Sequence, residues 1–243
     1  KNMSKNILNK KNCFITGATG GIGKEICKQL AEKNCNLFLT GTNPKKLKKL
    51  KNDLKKISNS IDIGYANCDI SNLTEIKKLI KKVRKNFGHI DIIINSAGIF
   101  EIKSLNKSTV VDFDESFNVN VRAPFIFSKE FSRDMVSKKW GRIVNLGSSS
   151  SYAGFKNGTV YSSTKHAILG LTRALNSEFK EKNIRALCIS PGSTKTKMAR
   201  KSIDQNFKTF LDPKEVAQFI IFSITFDNEM IADEIRLNRM IIE

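Results

Sequence analysis

The stretch SSSSYAGFKNGTVYSSTK, Ser148 to Lys165, carries the pattern Tyr-x-x-x-Lys twice, as Tyr152 with Lys156 and as Tyr161 with Lys165. A free phenol titrates near ~10, too high to exchange protons readily at neutral pH. A lysine ammonium beside it favours the phenolate, lowers that value and makes the pair a general acid and base. Such a pair must be held rigidly, because a loose acid loses orientation. Tyr161 precedes SSTKHAILGLTRALNSEF, a helical pattern in which residues four apart share a face, so Lys165 is expected beside Tyr161. Tyr152 precedes AGFKNG, where Gly154 and Gly158 argue for a loop and leave Lys156 no fixed relation to Tyr152. The working pair is therefore expected to be Tyr161 and Lys165. Tyr152 and Lys156 are expected on a loop surface, with Tyr152 a candidate for the wall of a substrate pocket.

A second chemical feature lies near the start of the chain. The apolar run NCFIT (12–16) leads into TGATGGIG, with glycines at 17, 21 and 23, and a helical pattern runs over Gly21 to Lys33. Residues without Cβ let backbone approach a pyrophosphate, and the helix that follows points its N-terminus at that charge.

Both features need a scaffold. Short apolar strand patterns at 36–40, 61–67, 91–95, 142–147 and 184–190 alternate with helical patterns at 44–57, 73–86, about 112–138, about 159–182 and from Pro213 onward. Near-continuous apolar strands alternating with helices imply a parallel sheet covered on both faces, an α/β doubly wound Rossmann-type fold. Ligands bind such a sheet at the carboxyl ends of its strands. No linker or repeat divides the chain, so one domain is expected over 12–243. The lysine-rich start, KNMSKNILNKKN, reads as a disordered lead-in over 1–11.

In this order and setting the motifs resemble those of the short-chain dehydrogenase/reductases, from Thr16 to about Ala217. The resemblance implies that Gly17, Thr19, Gly20, Gly21, Ile22 and Gly23 cradle a nicotinamide dinucleotide. Asp69 and Ile70 in NCDI would meet the adenine. Asn95-Ser96-Ala97-Gly98 is similar to the family's N-N-A-G, and Pro191-Gly192-Ser193-Thr194-Lys195-Thr196 to its nicotinamide-holding P-G-x-x-x-T. Thus Asn95, Ala97, Gly98, Pro191, Gly192, Thr194 and Thr196 join Tyr161 and Lys165 as cofactor contacts. The catalytic set would be Asn120, Ser148, Tyr161 and Lys165. Ser148 is selected among four consecutive serines by its distance of thirteen residues from Tyr161. By the resemblance, Ser148 hydrogen-bonds the substrate carbonyl, Lys165 lowers the Tyr161 pKa, and Asn120 holds a water that refills the proton.

After the second strand, TGTNPKKL contains no carboxylate, and Gly41 occupies the position where NAD-preferring relatives carry Asp. Thr42, Asn43, Lys45 and Lys46 suit a ribose 2′-phosphate, so the expected cofactor is NADP in preference to NAD. The resemblance further implies a ketone/secondary-alcohol oxidoreductase, best matched to a 3-oxoacyl thioester on acyl carrier protein. Lys139 and Lys182 are expected to offer that acidic partner a basic surface near the active-site helices. Small ketones, sugars and polyols stay open, since EMIADEIRLNRMIIE lacks the glycine-rich finish of those reductases. The substrate lid is placed at about 193–212. A homodimer or homotetramer is implied through the two long helices, with Phe125 to Phe127 and Phe131 suited to such a face and equally to core packing.

The formal charge is +19, from 42 Lys and Arg against 23 Asp and Glu. The excess is diffuse lysine on helix faces, without the arginine and aromatic clusters of a nucleic-acid binder. Two histidines and five scattered cysteines suit neither a metal centre nor a disulfide framework, but reduced thiols of a cytoplasmic protein. No apolar run is long enough to span a bilayer, so no membrane partner is expected. A catalytically silent NADP-binding regulator is the alternative of another class, and the intact Asn-Ser-Tyr-Lys set argues against it.

Overall fold

The computed structural model describes residues 6–201 and 205–240. Seven parallel strands among them form one sheet: β1 (Asn12–Thr16), β2 (Asn36–Gly41), β3 (Ile63–Asn67), β4 (Ile92–Asn95), β5 (Gly141–Leu146), β6 (Ile184–Pro191) and β7 (Glu234–Leu237). Their order is β3-β2-β1-β4-β5-β6-β7. The chain runs outward from β1 to β3 and returns to place β4 on β1's other side. The carboxyl ends of β1 and β4, paired at Thr16 and Asn95, therefore open the crevice at which an open α/β sheet binds ligands.

Seven α-helices cover the described sheet: α1 (Gly21–Glu32), α2 (Pro44–Ile57), α3 (Leu73–Phe87), α4 (Val110–Phe117), α5 (Ala123–Lys138), α6 (Thr159–Phe179) and α7 (Pro213–Ile224). Alternation along the strands builds two cores. Cys13 and Ile15 of β1 pack with Ile26, Leu30, Leu47, Leu54 and Ile220 on one face. Phe14 points to the other, against Ile93, Phe127, Phe131 and Ile143.

Four expectations change or narrow. First, of the lead-in, residues 1–5 lie outside the described residues, but 6–11 are no disordered tail. Leu8 is fully buried in the first core, and Lys10 N donates to Asn34 O at 2.8 Å. Two adjacent apolar residues, Ile7 and Leu8, among lysines and asparagines give no periodic signal. Second, the helix expected over 112–138 begins earlier and is interrupted. Thr109 caps α4 reciprocally with Asp112, and a π-helical turn over Asn118–Arg122 separates α4 from α5. Pro124 has no N–H to give the Asn120 carbonyl four residues back, and Ala123 N bonds instead to Asn118 O, five back. Third, of the two readings left open for the phenylalanines, core packing holds for Phe127 and Phe131, with ring centroids 4.8 and 5.3 Å from that of Phe14, which leaves only Phe125 of that set exposed. Fourth, β7 was not anticipated. Its sequence, EIRL, is half polar, and it is a strand because it pairs with β6, Ser190 opposite Arg236.

Among the described residues no helix is long and apolar enough to cross a membrane. All five cysteines are unpaired and buried.

Candidate active site

Tyr161 lies in the first turn of α6 and Lys165 one turn later, on the face that meets the end of β5. The Lys165 ammonium is buried, donates to Leu146 O at 2.6 Å, and stands 5.6 Å from the centre of the Tyr161 ring. Burial, partly offset by the nearby Cys188, pushes Lys165 down to about 8. Burial also pushes the Tyr161 phenol above its ordinary value, and a hydrogen bond with Ser148 draws it part of the way back. The phenol thus moves opposite to the depression expected from Lys165: burial is the largest cause, and Ser148 is the group that lowers it.

Ser148 follows β5 directly and caps the short 3₁₀ turn Ser149–Ser151. Its hydroxyl accepts from Ser150 N, and its own N–H donates to Ser151 Oγ, each at 3.2 Å. This reciprocal cap fixes the hydroxyl that faces Tyr161. Asn120 sits in the π-helical turn. Its side chain clasps the β4 loop, accepting from Ile99 N at 2.9 Å and donating to Ile99 O at 3.0 Å and to Thr164 Oγ1 at 3.1 Å. Asn120 thus ties α6 to the loop at Gly98, where an added Cβ would lie 3.2 Å from Asn120 Oδ1 and 4.0 Å from Lys165 Nζ.

Ser148, Tyr161 and Lys165, with the buried Asn120 behind them, border a cleft of about 260 Å³ also lined by the glycine turn, the segment 96–99 and residues 191–194 and 196–199. Glycines of the turn are sterically required, Gly23 among them, where a Cβ would lie 2.3 Å from Gly17 O. Gly17 has φ +63°, and a Cβ there would lie 2.7 Å from Ala97 N; a Cβ on Gly21 would lie 2.6 Å from Thr196 Cγ2. The first turn of α1 has neither a side-chain cap nor an acidic residue. Its backbone N–H groups, which have no acceptor within the helix, are left for an anion in the cleft. The cradle therefore fits a dinucleotide pyrophosphate.

Of the expected cofactor contacts, Gly20, Gly21, Ile22, Gly23, Ala97, Gly98, Pro191, Gly192, Thr194 and Thr196 line this cleft with Tyr161 and Lys165. The others stand behind or beside it. Gly17 supports the turn from below. Thr19 Oγ1 would lie 3.4 Å from a Cβ on Gly41, which brings the first turn to the end of β2. Asn43 caps α2, its side chain accepting from Lys46 N at 3.0 Å, with Thr42 before it. Asp69, followed by Ile70, accepts from Ser71 N and Ser71 Oγ. Asn95 is buried in the sheet and donates to Asn145 Oδ1 at 2.8 Å, joining β4 to β5 beneath the cleft.

Lys139 and Lys182 stand at the C-terminal ends of the helices α5 and α6, as expected, but away from the cleft. They precede β5 and β6, whereas the cleft opens at the far ends of those strands, roughly 20 Å away at ~3.3 Å per strand residue. Besides Lys165, the charged residue that lines the cleft is Lys197, beside Met198 and Ala199. Tyr152 does not line it either. Its hydroxyl donates to Glu234 Oε2 at 3.4 Å, and the Arg236 guanidinium covers its ring at 3.4 Å. Sequence reasoning missed Phe100 and Phe155, whose ring centroids lie 4.7 and 6.4 Å from that of Tyr161. Neither belongs to a periodic pattern, and no sequence signal marked them.

A family model described as short chain dehydrogenase matches residues 11–206. A 3-oxoacyl-(acyl-carrier-protein) reductase, FabG, of Buchnera aphidicola subsp. Baizongia pistaciae (strain Bp) is 33% identical over 236 residues, 93% of this chain and 94% of the relative. An uncharacterized oxidoreductase of Staphylococcus aureus (strain MW2) is 28% identical over 229 residues, covering 94% and 97%. Among solved structures, a metagenomic short-chain oxidoreductase in complex with NADP superposes with a TM-score of 0.83 at 21% identity, covering 96% of this chain and 99% of that one. The chain belongs to the short-chain dehydrogenase/reductase family.

Proposed function

We propose that the protein is an NADP(H)-dependent reductase of ketones, with a 3-oxoacyl thioester as its best-supported substrate. The observation that carries this reading is the convergence of Ser148, Tyr161 and Lys165 on one cleft whose opposite wall is the glycine turn. Gly20 to Gly23, Ala97, Gly98 and the segment 191–196 would hold the nicotinamide dinucleotide, which supplies the hydride when bound. The chain's own part is proton supply and charge stabilisation. With its pKa above the ordinary phenol value, Tyr161 is protonated at neutral pH and ready to donate to a carbonyl oxygen. The Ser148 hydroxyl donates to the same oxygen as negative charge develops. Lys165, charged below about 8, stabilises the phenolate left behind. Asn120, whose carbonyl loses its α-helical donor at Pro124, is assigned to hold the water that returns a proton toward Lys165.

NADP is favoured by the absence of a carboxylate over Gly41 to Leu47 and by Lys45 and Lys46 in the first turn of α2. The thioester is supported by the 33% identical relative of that name. It is supported too by the basic segment Lys195, Lys197, Arg200 and Lys201 at the cleft mouth, suited to an acidic carrier protein. Phe100 and Phe155 pack around the Tyr161 ring and Met198 lines the cleft, apolar surface on which the hydroxyls of a sugar or polyol would find no partner. A cytoplasmic location and a homo-oligomer through α4, α5 and α6 belong to the same reading.

The test is absorbance loss with NADPH and then NADH over a ketone panel headed by an acetoacetyl thioester, for the wild type and Tyr161→Phe. Thioester-dependent NADPH loss that disappears in the variant is expected. Turnover only on other ketones would discard the thioester, a clear NADH preference would overturn the cofactor assignment, and activity retained in Tyr161→Phe would overturn the mechanism.

A further inference from the structure

Residues 192–194 and 196–199, after β6, roof the cleft on one side. The segment that carries them is joined at its two ends: Leu211 N donates to Ser193 O at 2.9 Å and Lys195 N to Leu211 O at 2.8 Å. Between these ends, residues 205–210 are gripped by one side chain from the C-terminal tail. Arg239 Nη1 donates to Thr209 Oγ1 and Nη2 to Gln205 Oε1, both at 3.1 Å, and its guanidinium lies 5.2 Å from the centre of the buried Phe210 ring. Gln205 Oε1 also accepts from Ser193 Oγ at 2.7 Å, and Ser193 lines the cleft. The grip therefore reaches the cleft wall in two hydrogen bonds, Arg239 to Gln205 to Ser193.

The tail is itself anchored. Arg236, three residues earlier, covers the Tyr152 ring, and Glu234 accepts from Arg173 of α6 and from Tyr152. Tyr152 adjoins the turn that presents Ser148. β7 and its continuation thus touch both the proton-donating wall and the roof of the cleft. A planar, permanently charged guanidinium engaging two oxygens and a ring is a rigid fastening that lysine does not reproduce.

We propose that Arg239 is a positioning residue: it clasps residues 205–210 so that the roof is preset over the cleft and the ketone binds without first ordering it. The kinetic part rests on the proposed ketone reductase; the clasp itself does not.

Two measurements separate these. Limited trypsin digestion, with fragments identified by mass, reads that segment directly, because Lys195, Lys197, Arg200, Lys201 and Lys208 lie within it. Loss of the charged hydrogen bonds in Arg239→Met is expected to raise cutting within 195–208 about tenfold, with unchanged cutting elsewhere and an unchanged melting temperature. Gln205→Ala, an exposed change, should have a smaller effect of the same kind, and the double variant should cut no faster than Arg239→Met. Arg239→Lys should recover only part of the protection. In steady-state assays with NADPH, the ketone KM of Arg239→Met should rise about tenfold while kcat stays within threefold. Unchanged cutting, additive effects, or faster cutting everywhere with a lowered melting temperature would each overturn the clasp. Protection that behaves as expected in a protein that reduces no ketone would keep the clasp and discard the proposed function. A KM unmoved in an active Arg239→Met would show that the clasp does not preset the binding site.

Discussion

Tyr152 and Tyr161 have the same neighbour at the same spacing and opposite fates. Tyr161 enters α6, so Lys165 returns to its side of the helix, and both are drawn into the cleft. Tyr152 closes the 3₁₀ turn Ser149–Ser151, and the chain then passes through a loop that leaves Lys156 in solvent. Tyr152 finds its charged partners elsewhere, in Arg236 and Glu234 of β7. The difference lies in desolvation as much as in geometry. Burial moves Tyr161 up and Lys165 down, toward neutral forms that exchange protons with a substrate, whereas Lys156 stays in water. A motif of two residues becomes an acid-base pair only when one continuous helix carries it into a site that excludes water.

The comparison can be broken most severely at the phenol. Tyr161→Phe should lower turnover by ~10³-fold or more while leaving cofactor binding, read by quenching of protein fluorescence, intact. Lys165→Met should cost about 10²-fold and also change the pH profile. In the wild type the ammonium is charged below about 8 and neutral above it, so the reductive kcat/KM should fall as pH rises through that value. The methionine variant should lack that limb.

Folding stability gives a second reading of the same group. Lys165 binds its proton less tightly folded, at about 8, than at its ordinary 10.5, so its burial penalty is present in full below about 8. That penalty is relieved between the two values, so the wild type should gain stability relative to Lys165→Met as pH rises from 8 to 10.5, measured by denaturant unfolding. Next in size, Ser148→Ala removes one donor to the developing charge and should cost about 10²-fold in kcat. The smallest effects belong to the other copy. Tyr152→Phe should stay within about threefold of the wild type and Lys156→Ala should be silent, since neither lines the cleft. A loss in Tyr152→Phe near that of Tyr161→Phe would erase the distinction between the two copies.

Much of this was legible in the residues. Apolar runs separated by helical patterns specified the strands β1 to β6, because a strand buried on both faces must be apolar along its length. The glycine turn was legible for a comparable reason: only glycine suits φ +63° at Gly17 or the approach of Thr196 to Gly21. The helical spacing of Tyr161 and Lys165 came directly from periodicity. Contacts between distant segments were not legible. β7 is a strand through its pairing with β6, and Leu8 is core through its position against Cys35, whose Sγ donates to Leu8 O at 3.0 Å. Phe100 and Phe155 meet at Tyr161 although fifty-five residues apart in sequence. The pKa values follow the same division. Spacing placed an ammonium near a phenol, but the direction in which the phenol moved depended on how much water the assembled cleft excludes. Periodicity and glycine are local, read within a few residues, whereas burial and long-range pairing exist only once the sheet has brought both sides of the cleft together.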